Sequence, residues 1–85
     1  MIRPCLERLS PIRPDKLQRV YRFANGYGAN VYSNSEGRWE LTAIEFYGES
    51  IWSWMIDFCN PVAKDVVKNL TDDDLQKLLS RIKSL

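Results

Sequence analysis

The stretch Tyr21-Arg22-Phe23-Ala24-Asn25-Gly26-Tyr27-Gly28-Ala29-Asn30-Val31 decides the reading of the fold, because two apolar-rich runs of β-forming residues flank a turn that carries glycines. Asn-Gly is the strongest short-range hairpin signal, since both central residues of a type I′ turn need φ > 0 and Asn and Gly tolerate that region best. A β-hairpin follows, with Leu17 to Phe23 as one strand and Ala29 to Ser33 as its partner.

Beyond it, Asn34-Ser35-Glu36-Gly37 makes a second turn into Arg38 to Tyr47, the longest β-favouring run. Its period slips at Ala43-Ile44, which means a bulge or a strand buried on both faces over part of its length. Gly48-Glu49-Ser50 then turns the chain into Ile51 to Phe58, where Trp52, Trp54, Ile56 and Phe58 alternate with Ile51, Ser53, Met55 and Asp57. Upstream, Pro4, Pro11 and Pro14 make residues 1–16 an irregular proline-rich arm.

Downstream, residues 60–85 read as helical. Asn60-Pro61 has the form of an N-cap followed by a first helical position, opening a short helix over Val62 to Lys68. A second helix over residues 72–84 has Thr71 as N-cap, with Asp72, Asp73 and Asp74 in its first turn and Arg81 and Lys83 in its last. Leu75, Leu78, Leu79, Ile82 and Leu85 form one apolar stripe, whose expected floor is the sheet face carrying Trp52, Trp54 and Ile56. The chain is thus expected to be one α+β domain over 1–85. A three- or four-stranded antiparallel meander over 17–58 would be covered on one face by C-terminal helices.

Composition supports a folded core: 45% of the 85 residues are hydrophobic and 12% aromatic, far from disordered compositions. Charge is uneven. Residues 1–30 carry six basic and two acidic groups (net +4), residues 31–60 one and five (net −4), and residues 61–85 five and four (net +1). This pattern implies a basic and an acidic side, or neighbouring strands whose charges pair. Cys5 and Cys59 read as reduced, buried, small apolar residues; a single bridge between them is the alternative and would imply an oxidising compartment. With no apolar leader or spanning run, the expected location is the cytoplasm, and the sequon Asn69-Leu70-Thr71 is read as chance.

Histidine is absent, which removes the commonest general base and zinc ligand. Gly26-x-Gly28 has neither the third glycine nor the Lys-Ser or Lys-Thr pair of a phosphate loop. Asp72-Asp73-Asp74 points in diverging directions on a helix, so capping explains it better than a cation site. No catalytic residue, cofactor or metal is expected. Arg19, Arg22, Tyr27, Tyr32 and Arg38 are the candidate binding residues, because cations mixed with aromatics suit either a protein interface or single-stranded nucleic acid.

The residues Tyr21 to Ala29 and Val31, Trp39-Glu40-Leu41, Asn60-Pro61, Asp65-Val66 and Leu70-Thr71 resemble small uncharacterised accessory proteins of tailed bacteriophages. The likeness covers roughly residues 20–82 and departs at Asn60, where the family has Thr before Pro, and in the strand with Trp52 and Trp54. It implies a setting in the host cytoplasm and brings no catalytic residue. The expected role is a non-enzymatic accessory protein that binds a host or phage macromolecule, in the first place a protein, as an inhibitor of a host defence or metabolic system. A small nucleic-acid-binding protein with an Arg/Tyr surface is the alternative.

Overall fold

The computed structural model describes residues 1–85 and shows an α+β fold with six strands and one helix. The strands are β1 (Leu6–Leu9), β2 (Leu17–Arg22), β3 (Tyr27–Ser33), β4 (Trp39–Phe46), β5 (Trp54–Ile56) and β6 (Val67–Leu70), and the helix is α1 (Asp72–Lys83). The strands β1 to β5 form an antiparallel meander in chain order. β6 pairs antiparallel with β4 on the edge that β5 also uses: β5 takes Ile44 to Phe46 and β6 takes Trp39 and Leu41.

Six strands replace the expected three or four because two segments read as other structure are extended. Residues 1–16 contain β1, since Pro4 and Pro11 stand outside Leu6–Leu9 and interrupt no ladder bond. Val62 to Lys68 forms no helix. Asn60 spends its capping capacity on a local turn, accepting from the N–H groups of Val62 (2.9 Å) and Ala63 (2.7 Å), and the valine-rich chain beyond it extends along β4. Asn69, at φ 61°, absorbs the register shift between β6 and β4 in the left-handed region that Asn tolerates. The expected strand over Ile51 to Phe58 is only Trp54–Ile56.

The hairpin at Asn25-Gly26 forms, but not as a type I′ turn. Phe23 donates to the Tyr27 carbonyl (2.9 Å) and Gly26 to the Phe23 carbonyl (3.1 Å), a three-residue loop in which Gly26 alone takes positive φ (87°). This frees the Asn25 side chain. Its Oδ1 accepts from Tyr27 N (3.0 Å), while its Nδ2 reaches the carbonyls of Ile82 (3.0 Å), Lys83 (3.1 Å) and Leu85 (3.1 Å). The turn therefore supplies a donor to the carbonyls of Ile82 and Lys83, which lack intrahelical partners, and to Leu85 just beyond the helix. Gly28 is required for a different reason: a Cβ there would meet the Tyr21 carbonyl and lie 2.8 Å from Phe46 Cε1.

Partner residues across an antiparallel ladder share a face. Tyr21, Ala29, Val31, Trp39, Leu41 and Ala43 lie on one face and make the main core with Leu75, Leu79 and Ile82 of α1. The helix thus rests on the face opposite to Trp54 and Ile56, correcting the floor expected from sequence. Two alternating sets of apolar residues were available, and the set on the three long central strands is the larger. Trp39 Nε1 donates to Asp72 Oδ1 (2.7 Å) at one end of α1. The Gln76 amide pairs with the Ile2 backbone in both directions (2.9 and 3.2 Å), and Asn25 closes the other end.

The other, distal face carries Val20 and Ile44, both fully buried although no helix covers them. The segment between β4 and β5 folds back over it. Arg22 donates to the carbonyls of Glu49 (2.8 Å) and Gly48 (2.9 Å), and Arg8 of β1 stacks on Trp52 at 4.3 Å. Ala43 and Ile44 are therefore buried on opposite faces of an unbroken β3–β4 register, so of the two readings of the period slip the strand buried on both sides holds.

Leu79, fully buried, faces this core, so Leu79→Ala is expected to cost about 2–5 kcal/mol and to red-shift Trp39 emission, measured by urea titration. Leu78 is only partly buried, and Leu78→Ala should cost less. The Thr71 capping box with Asp74 adds a pH dependence. The hydrogen bonds from Thr71 hold the Asp74 carboxyl below the usual value of 3.8, so this stabilisation is complete above the unfolded pKa and disappears as pH falls through the lower folded one. Asp74→Asn should flatten that part of the acid-unfolding profile followed by circular dichroism, without changing stability's pH dependence near neutrality.

Candidate functional site

Three strands have an outer edge, β1 on one side of the sheet and β5 and β6 on the other, and β1 and β5 differ in chemistry. β1, Leu6-Glu7-Arg8-Leu9, is flanked by Pro4 and Pro11 and carries two charges, the usual protection against strand addition. β5, Trp54-Met55-Ile56, has no charge and no proline. Asp57 N donates to Ala43 O (2.9 Å) and Tyr47 N to Ser53 O (3.0 Å), so by the alternation of an antiparallel ladder Trp54 and Ile56 turn their N–H and C=O outward. Nothing pairs with them.

Apolar side chains surround this edge. Tyr47 (70% exposed), Trp52 (47%), Met55 (59%), Ile56 (55%) and Phe58 (42%) account for five of the ten large hydrophobic side chains the molecule leaves in solvent. Their sequence neighbours Glu45, Glu49 and Asp57 are acidic. The short segment Tyr47–Phe58 thus combines free backbone hydrogen-bonding groups, apolar area and negative charge.

The five residues singled out by sequence do not form one surface. Arg19 and Tyr27 lie on the helix side, Arg22 and Tyr32 on the distal side, and Arg38 follows the second turn. Arg19 pairs with Glu7 and stacks on Trp39 at 4.2 Å. Burial works against its charge, and Glu7 and the neighbouring Tyr21 hydroxyl outweigh that, so its pKa is raised. The Tyr21 hydroxyl is buried without a hydrogen-bond partner, Arg19 being close but not at bonding geometry; desolvation raises its pKa. Tyr27 packs against the main core. Arg22 lies 4.5 Å from the Phe46 ring centroid with its guanidinium committed to Gly48 and Glu49. Tyr32 faces Arg13 at 5.2 Å.

Cys5 and Cys59 are free and exposed rather than buried, because Cys5 leads into an edge strand, with its thiol 3.3 Å from the Val20 carbonyl, and Cys59 sits in a surface turn. Asp72 serves Trp39 and Asp74 the cap, as a structural role for the acidic run requires.

Sequence reasoning missed the exposure of Trp52 and Ile56 because it placed the helix on them. The available signal was the arithmetic of faces: one apolar stripe on one helix cannot cover two apolar sheet faces. No helix is long and apolar enough to cross a membrane. In comparisons with protein-family models, curated proteins and solved structures, the chain matches none.

Proposed function

We propose that the chain is a non-enzymatic binding protein that accepts an extended strand of a partner protein along β5. The observation that carries this reading is the uncharged edge Trp54–Ile56, with unpaired backbone groups and flanking Tyr47, Trp52, Met55 and Phe58. Strand addition takes affinity from main-chain hydrogen bonds and specificity from alternate side chains. The acidic neighbours Glu45, Glu49 and Asp57 favour a partner strand that alternates apolar residues with lysine or arginine. Aromatic and methionine side chains are the types enriched at such interfaces. The likeness of residues 20–82 to phage accessory proteins supports a host protein as partner and the host cytoplasm as the setting. Occupying a strand edge of a host defence or metabolic protein would inhibit it.

The test compares capture from bacterial lysate by the wild-type chain and by Ile56→Lys and Met55→Lys, with and without nuclease. Both positions are exposed, so the variants should keep the wild-type thermal unfolding curve. The expected result is a partner that survives nuclease and is lost with either variant, together with slowed amide exchange at Trp54 and Ile56 in the complex. Nuclease-sensitive capture would favour the nucleic-acid reading instead. Capture with unchanged exchange at those two amides would refute strand addition.

A further inference from the structure

A groove of about 440 Å³ on the distal face gathers donors that the fold does not use. The loop between β1 and β2 supplies Arg13 and Lys16, β3 and β4 supply Tyr32, Glu40 and Thr42, and β6 supplies Lys68. Arg13 Nη1 and Lys16 Nζ lie 3.7 and 3.8 Å from the two Glu40 carboxylate oxygens, close enough to neutralise charge and too far for a hydrogen bond. The Lys16 and Glu40 side chains are only 21% and 22% exposed, so the group is held rather than splayed into water. Lys68 has no acidic partner within ion-pair distance. The guanidinium, two ammonium groups and two hydroxyls therefore face one concavity with their hydrogen-bonding capacity free. Three cations against one carboxylate leave two positive charges uncompensated.

We propose that this groove binds a phosphate dianion, free or as the terminal phosphate monoester of a nucleotide. The charge surplus matches a dianion. The Arg13 fork and the hydroxyls of Tyr32 and Thr42 match its tetrahedral oxygens. The volume lies within the range of small-molecule sites, about 300–1,000 Å³. Glu40 spaces Arg13 and Lys16 in the empty groove and competes with the ligand for them. This site uses none of the β5 edge and stands or falls independently of strand addition.

The experiment titrates the labelled protein with inorganic phosphate and with a nucleoside 5′-monophosphate, following amide shifts of Tyr32, Thr42 and Lys68. Saturable shifts confined to the groove are expected, weakening as salt rises. Lys68→Gln should lower affinity roughly five- to tenfold, and Glu40→Gln should raise it by a similar factor, since it removes the competing charge. Lys68 is exposed and makes no ion pair, so its variant should fold normally. Equal affinity for the two probes identifies a site for the phosphate alone. Tighter binding of the nucleotide identifies one that also grips the organic group. Absence of saturation with both probes, or shifts spread over Arg3, Arg81 and Lys83 and unaffected by Lys68→Gln, would overturn the proposal.

Discussion

A single helix of twelve residues can shield one face of a sheet and no more, and most features of this molecule follow from that limit. α1 takes the face of Tyr21, Val31, Trp39 and Leu41. The distal face must then be covered by the chain itself, and it is. Arg22 draws the segment after β4 back over Val20 and Ile44, and Trp52 closes against Arg8 from the far side of the sheet. The same movement leaves β5 short, uncharged and unpaired on its outer side. The candidate docking edge is thus a by-product of how the second face is closed.

β4 is the hub of this arrangement. It pairs with β3 along one edge and with both β5 and β6 along the other, and it is buried on both faces at Ala43 and Ile44. The helix is then fastened by side chains of very different sequence position. Asp72 receives the Trp39 indole, Gln76 imitates a strand partner for Ile2, and Asn25 takes the place of solvent at the last carbonyls. Asn25, Gly26 and Gly28 have structural tasks: capping a distant helix, making the loop, and admitting the Phe46 ring. None of the three contributes a free polar group to the β5 edge or to the anion groove.

The basic and acidic segments of the chain are only partly paired in space. Arg13 and Lys16 meet Glu40 of the acidic segment, while Arg19 meets Glu7 within the basic one. The acidic residues around β5 remain unpaired, which is what gives the two candidate sites opposite charge preferences. The surroundings of β5 carry Glu45, Glu49 and Asp57, and the distal groove carries Arg13, Lys16 and Lys68 against Glu40.

What was legible in the sequence was local. Thr71 and three aspartates define the start of α1, the stripe Leu75, Leu79, Ile82 defines its buried side, and Asn25-Gly26 and Asn34 to Gly37 place two hairpins, because caps, periodicity and turn chemistry act over a few residues. Three things were decided only by tertiary structure. The choice between two apolar faces depended on which one presented the larger apolar set once β2, β3 and β4 were paired. The extension of residues 6–9 and 67–70 into strands depended on free edges of β2 and β4 to pair with, which propensity does not contain. The convergence of Arg13, Lys16, Tyr32, Glu40 and Lys68 depended on strand order, since ion pairs and grooves are made by distances across a sheet rather than along a chain.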